Sequence, residues 1–351
     1  MTTVAVIGSS SPVGLALLER LDTDSAVSRL IGVDCDEPGM PVARLEFRVA
    51  EVRDRLLALA LSDAEVVVHL GIDDDPDLDD DTRFARNVNG TRNVLDAVVK
   101  VGAKRLVLLS GALAYGAHSD NALPLAEDAP LRANPDYPTA YHLLLAEGLV
   151  AEFAEAHPRT RVVVLRPATV LGPGVDSVAA RHLLAPRLLT VAGHEPPLQL
   201  VSVDDLASAL QLACTGDLTG VYNVAADGWL AHAEVGTVLG RRRLAVPETV
   251  LYSLARARWA RQVASVHPGV LHFLMHPTVV TASRIKAAGW QPTRSNRETL
   301  REFAATHHGE LQLGRQRVRS RDLVIAGCAA VGALIGLWAG GRSRRAAARR
   351  A

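Results

Sequence analysis

A chain of 351 residues, 48% hydrophobic and 22% charged, is long enough to bury a sizeable core and too apolar to stay disordered. Its 38 basic and 38 acidic residues cancel, so no global field draws it to nucleic acid. Three isolated cysteines, Cys35, Cys214 and Cys328, have no paired spacing, which argues against a disulfide framework or a zinc site and suits a reducing compartment.

The N-terminus passes directly into a valine- and isoleucine-rich run, Thr3 to Ile7, with no basic region and long apolar core of a signal peptide. The run predicts a buried strand, and the main body is expected to be cytoplasmic. Gly8 to Pro12 predicts a turn, Val13 to Leu21 a helix, and Leu30 to Val33 a strand ending at Asp34. A helix over Arg53 to Leu61 precedes a strand over Val66 to Leu70. Phe84 to Val101 predicts a long helix with Val88, Val94, Leu95, Val98 and Val101 on its apolar side. Strand Leu106 to Leu109, helix Ala140 to Ala156 and strand Val162 to Leu165 continue the alternation. Short apolar strands alternating with helices imply βαβ units and a parallel sheet covered on both faces. After Pro167 the pattern loosens. Leu198 to Leu206, Val221 to Val224 and a helical stretch near Thr249 to Ala264 suggest a smaller lobe, interleaved with the first domain.

Asp73 to Asp81 holds seven aspartates and reads as a solvated loop, because no fixed ligand spacing marks a metal site. The motif with most chemistry is Gly8-Ser9-Ser10-Ser11-Pro12-Val13-Gly14, between a strand and a helix. Such a turn brings backbone N–H groups to a pyrophosphate at the positive helix end. Asp34, about twenty residues on, suits a ribose 2′-hydroxyl. Its charge repels a 2′-phosphate, so NAD is favoured over NADP.

These motifs, in this order, resemble the extended short-chain dehydrogenase/reductases, the NAD-dependent epimerase/dehydratase family, over roughly residues 3–305. The family's three-glycine turn maps onto Gly8, Ser11 and Gly14, with serine in the middle place. The resemblance implies an α/β fold: a Rossmann-type doubly wound parallel sheet in residues 1–166 and a smaller substrate lobe in 167–310. It also implies a cofactor set of Gly8, Ser10, Ser11, Pro12, Val13, Gly14, Asp34, Glu51, Val52, Leu70, Gly71, Ile72, Asn87 and Pro167. Glu51-Val52-Arg53-Asp54 is similar to the segment around adenine, and Val67 to Ile72 to the strand that passes the cofactor. Asn87 to Leu95 is similar to the helix with the structural asparagine. Arg166-Pro167 through Gly174 is similar to the loop near nicotinamide and substrate. Val201 to Ala207 and Gly220 to Asn223 resemble parts of the substrate lobe. A nucleotide-sugar or related carbinol ligand and a homodimer are further implications.

Family members use a Ser/Thr, Tyr and Lys triad, in which lysine lowers the tyrosine pKa from about 10. Here no lysine lies between Lys104 and Lys286. The hydroxyl position falls on Gly111, with Ser110 beside it. Anchoring on Glu147 puts Thr139 at the tyrosine and Leu143 at the lysine. Anchoring on Tyr141 puts Leu145 at the lysine, and Tyr137 puts Tyr141 there. Ser110 and Tyr141 are the remaining catalytic candidates, with His142 a possible acid or base. The residues support ligand binding better than catalysis.

Leu323 to Gly340 is uncharged and near the lower edge of the roughly 20 residues that span a bilayer. Arg315, Arg317, Arg319 and Arg321 precede it and five arginines follow it. Gly332, Gly336 and Gly340 share one helical face suited to close packing in lipid. A basic juxtamembrane linker at 311–322, a transmembrane helix at 323–341 and an arginine-rich tail at 342–351 are therefore expected. The sequence reads as a membrane-tethered, NAD-binding scaffold or ligand-binding protein. The alternative is an epimerase/dehydratase or hydroxysteroid-type dehydrogenase with altered catalytic residues.

Overall fold

The structure, a computed structural model, describes residues 2–70, 78–261 and 267–307, with the backbone of strands at 310–313 and 316–319. The first half runs β1 (Thr2–Ile7), α1 (Pro12–Thr23), β2 (Val27–Asp34), β3 (Leu45–Val49), α2 (Leu57–Ala60), β4 (Val66–His69), α3 (Asp80–Phe84), α4 (Gly90–Val101), β5 (Arg105–Leu109) and α5 (Pro138–Ala156). The second half runs β6 (Arg161–Pro167), β7 (Thr169–Leu171), α6 (Val178–Leu183), β8 (Leu188–Val191), β9 (Leu200–Ser202), α7 (Val203–Thr215), β10 (Gly220–Val224), α8 (His232–Leu239), β11 (Arg243–Val246), α9 (Glu248–Ala260), α10 (Ser283–Ala287), α11 (Asn296–Thr306), β12 (Glu310–Leu313) and β13 (Gln316–Arg319).

A seven-stranded sheet, parallel throughout, has the order β10-β6-β5-β4-β1-β2-β3. Successive strand residues face opposite ways. Val4 and Val6 pack with Leu17, Leu18 and Leu21 of α1 and with Leu206 and Leu210 of α7. Ala5 and Ile7 pack on the other face with Val94 and Val98 of α4 and with Val150 and Phe153 of α5. Covering both faces requires the unbroken apolar strands seen in the sequence. Each fully buried leucine of α1 contributes about 2 kcal/mol. Strand order reverses between β1 and β4, so the crevice beyond their carboxyl ends is the topological switch point where such sheets bind ligands.

Several expectations are corrected. The helix expected over Arg53 to Leu61 is only the single turn α2. The Asp54 side chain accepts from Leu56 N–H at 2.8 Å and holds the preceding residues in a turn. The helix expected from Phe84 begins earlier, at Asp80, capped by Asp79, and carries a π-helical turn at Ala85–Asn89 before α4. Leu198 to Leu206 is not one element, because Ser202 ends β9 and caps α7 by accepting from Asp205 N–H at 3.0 Å. β3 was not anticipated.

After Pro167 the chain alternates between layers. α7 packs on α1, and β10 pairs with β6 in the central sheet. The second lobe gathers α6, α8 and α11 around Leu171, Leu183, Leu200, Leu230, Leu300 and Phe303. The stretch expected as a linker at 311–322 includes most of the antiparallel pair β12–β13. The segments at 323–341 and 342–351 lie outside the described residues. Among those described, no helix is long and apolar enough to cross a membrane.

Candidate cofactor and catalytic site

The glycine turn joins β1 to α1 at the switch point. Gly8 has φ +84, and a Cβ there would lie 3.2 Å from Leu70 Cβ. At Gly14 a Cβ would lie 2.3 Å from Gly8 O, so only glycine fits. The Ser11 hydroxyl donates to Gly8 O at 2.7 Å and accepts from Gly14 N–H at 3.0 Å. The serine in the middle glycine's place therefore turns inward as the N-cap of α1 and closes the turn on itself. Pro12 opens the helix without an N–H. Val13 N–H is then the first-turn donor with no partner among the described residues, at the positive end of the helix.

Asp34 accepts from Ser10 N–H at 2.9 Å and from Cys35 N–H at 2.8 Å, tying the turn to the end of β2. Its carboxylate keeps further lone pairs for a ribose hydroxyl. Burial, then the Asp34 charge, pushes the Cys35 thiol up, so it stays protonated and uncharged. Glu51 pairs with Arg53 at 2.8 Å and with Arg86 at 3.3 Å. Val52 packs under Gly90, where a Cβ would meet its Cγ2 at 2.7 Å. Leu70 ends β4 against Gly8. Asn87 is buried in the π-helical turn, and its carbonyl accepts from the Thr91 hydroxyl at 2.6 Å. That hydroxyl lies 3.0 Å from His69 Nε2, and burial pushes the His69 pKa to about 4, so the ring is neutral. Pro167 ends β6 opposite Val224. Gly71 and Ile72 lie outside the described residues, as do Asp73 to Asp77. Of the remaining aspartates in that run, Asp79 caps α3 and Asp80 pairs with Arg83 at 2.7 Å. No cluster able to hold a metal exists among the described residues.

The loop after β7 completes the wall. Gly174 has φ +75, and a Cβ there would lie 3.3 Å from Pro12 Cγ. The Gly172-Pro173-Gly174 segment thus sits on the first turn of α1.

α5 decides between the sequence registers. Thr139, His142, Leu143, Ala146 and Glu147 are buried, whereas Tyr141 is 37% exposed on the outer face. The register anchored on Glu147 is the one that points inward, and Tyr141 does not share its face. Leu143 Cδ1 lies 3.3 Å from where a Gly111 Cβ would stand. An apolar contact thus occupies the space between these two positions.

Ser110 is also turned inward. Its hydroxyl donates to the Glu147 carboxylate in a buried network. Arg166 donates to Glu147 through Nε at 3.0 Å and Nη2 at 2.6 Å, and through Nη1 to the Tyr115 hydroxyl at 2.8 Å. Tyr115 donates in turn to Asn223 Oδ1 at 2.8 Å, and Asn223 N–H donates to Glu127 at 3.0 Å. Burial pushes the Tyr115 phenol above its ordinary value. The sequence reading missed this network, although Arg166-Pro167 and Tyr222-Asn223 were visible as motifs. Its members lie far apart in the chain, and only the fold brings them together.

His142 Nδ1 is buried with no hydrogen-bond partner among the described residues. Burial, then the Arg83 charge, lowers its pKa to about 4. The neutral ring meets Phe84 edge-on, with centroids 5.4 Å apart.

The pattern of the NAD dependent epimerase/dehydratase family matches residues 4–225. An uncharacterised protein of Mycobacterium tuberculosis is 26% identical over 310 residues, 86% of this chain and 82% of its own length. The Arabidopsis thaliana 3beta-hydroxysteroid-dehydrogenase/decarboxylase isoform 1 is 30% identical over 154 residues, 42% of this chain and 33% of its own length. Among solved structures, UDP-glucose 4-epimerase of Thermotoga maritima with UDP-glucose superposes with a TM-score of 0.67 at 19% identity, covering 87% of this chain and 98% of its own. The dTDP-glucose 4,6-dehydratase of Bacillus anthracis in complex with NAD gives a TM-score of 0.66 at 17% identity, covering 87% and 96%.

Proposed function

This chain belongs to the NAD-dependent epimerase/dehydratase family, and on that premise we propose that it binds NAD without the family's Tyr/Lys chemistry, as a ligand-binding or scaffold protein tethered to a membrane. The observation that carries the reading is Leu143 seated 3.3 Å from the Cβ position of Gly111, on the inward register of α5.

The residues fit the cofactor. Gly8 and Gly14 let the turn close tightly at the start of α1, where Val13 N–H and the helix dipole suit an anion, and Asp34 offers acceptors to the adenine ribose. Asp34 and the uncharged Cys35 disfavour a 2′-phosphate, and Glu51 compensates the nearby Arg53 and Arg86. When bound, NAD supplies a hydride acceptor. Among the candidate residues described, none serves as a proton relay beside it. Leu143 moves no proton, Tyr115 is held protonated in a buried network, and His142 is neutral and packed against Phe84. The uncharged run at 323–340, flanked by arginines, supports the tether.

A second reading draws support from the solved relatives, whose printed ligands include UDP-glucose and NAD. On it, the second lobe takes a nucleotide sugar, and an altered set of groups performs the carbinol chemistry.

Calorimetry on the full chain in detergent separates these readings. NAD should bind, and Asp34→Ala should weaken it about tenfold by removing a charged acceptor. No binding to folded protein would sink the cofactor assignment. Sustained NAD reduction with a sugar-nucleotide or sterol carbinol would sink the non-catalytic part alone.

A further inference from the structure

α9 covers one face of the β8–β11 pair, burying Leu251 against Val191, Leu271 and Met275. Leu244 and Val246 of β11 stand opposite Leu189 and Val191 of β8, so Leu244 shares the face on which α9 lies. The outer side of this corner is apolar and bare. Val250 and Leu254, one turn apart on α9, are 50% and 54% exposed, and Leu244 is 42% exposed. Helical spacing places Ala257 on the same stripe, turned away from Tyr252 and Ala255, which pack on the inner side, and Arg261 follows at the helix end. Exposed Arg256 and Arg258 flank it.

The charge along this stretch of chain is one-sided, and the acids facing it from other elements are Asp136, near Tyr252, and Glu195. Residues 241–261 contain six arginines and one acid, Glu248, in a chain whose net charge is zero. Glu248 sits in the first turn of α9, where the helix dipole holds it. Of the arginines, Arg243 is paired with Glu195 at 2.8 Å, and Arg256 lies over the Tyr252 ring at 6.0 Å. An exposed apolar ridge bordered by arginine is the chemistry that fits an anionic bilayer surface. Aliphatic side chains enter the headgroup boundary while guanidinium groups meet lipid phosphates, at about 1 kcal/mol for each cation near the surface.

We infer that the corner formed by Leu244, Val250 and Leu254 with Arg256, Arg258 and Arg261 docks this protein flat against an anionic lipid membrane. The inference extends the tethered reading and sets how the domain lies once tethered. It is separable from that reading, because the tail needs no anionic lipid and this corner does.

Amide hydrogen exchange on the full chain, mixed with vesicles of pure phosphatidylcholine or with one-third phosphatidylglycerol, tests it. Amides of 248–261 should exchange about tenfold more slowly on the anionic vesicles than on the neutral ones. The double variant Val250→Asp, Leu254→Asp, at exposed positions that leave the core intact, should abolish that difference. If the chain associates with both vesicles and α9 exchanges equally on each, the docking corner is wrong and the tether stands. Association with anionic vesicles only, lost in the double variant, keeps the corner and removes the tether. Association with neither removes both.

Discussion

Ser110 shows how a residue in a catalytic neighbourhood can be engaged in a buried network. Its hydroxyl serves Glu147, which is paired with Arg166. Two charges buried this deeply are stable only while their remaining hydrogen bonds are made. Ser110→Ala should therefore cost about 1–3 kcal/mol in urea denaturation, because it leaves a buried carboxylate oxygen short of a donor. NAD affinity should not change, since nothing in the glycine turn touches this serine. A loss of NAD binding without a loss of stability would return Ser110 to the ligand site. The ambiguity over this residue was inherent in the sequence. Ser110 and Gly111 are adjacent, and only the direction of the side chain tells a strand-end serine from a catalytic one.

Among the elements, α1 has an entrance with serine at the middle place of the glycine turn. Ser11 caps it, using its hydroxyl as both donor and acceptor. Removing the cap should cost about 1 kcal/mol in Ser11→Ala, whereas Ser11→Gly should cost only a few tenths. Thermal melts of the two variants check the order. Equal melting points would mean that the hydroxyl contributes nothing to the turn. The elements also show what the pattern of residues could reveal. Strands buried on both faces, such as Val4 to Ile7 and Val66 to Val68, are legible because every position is apolar. β3 escaped notice because it lies at the sheet edge, and its alternate residues Glu46 and Arg48 are occupied in ion pairs. In α5 the choice between Thr139 and Tyr141 could not be made from spacing. It depends on which helix face meets the sheet: Thr139 is buried there and Tyr141 is exposed.

At the scale of the whole molecule, neutral buried histidines set an acid limit. His69 and His142 titrate at about 4 when folded, against an ordinary value of 6.5. Between those values the unfolded chain holds protons that the folded one does not, so stability falls as pH drops from 6.5 towards 4 and is level above and below. By pH 5 each should cost about 2 kcal/mol. Urea midpoints at pH 7 and pH 5 measure the fall; burial pushes His182 to about 4 as well, so His142→Leu should remove about a third of it. An identical fall in the variant would mean that His142 is protonated, or solvated, in the folded protein. The overall architecture was legible because alternation of strand and helix is a local property. The placement of α7 against α1, and of β10 beside β6, was not, because both depend on the chain returning to the first layer after Pro167.

The contact between Gly111 and Leu143 has a historical consequence. If the proposed reading holds, a side chain placed at 111 would press on Leu143, and an ammonium placed at 143 would find no hydroxyl at 111. Each change therefore raises the barrier to reversing the other, like the teeth of a ratchet. On the proposed reading, descent from a working enzyme would be easy along this path, and return by single steps would not. Selection on such a chain would act through what it holds and where it sits.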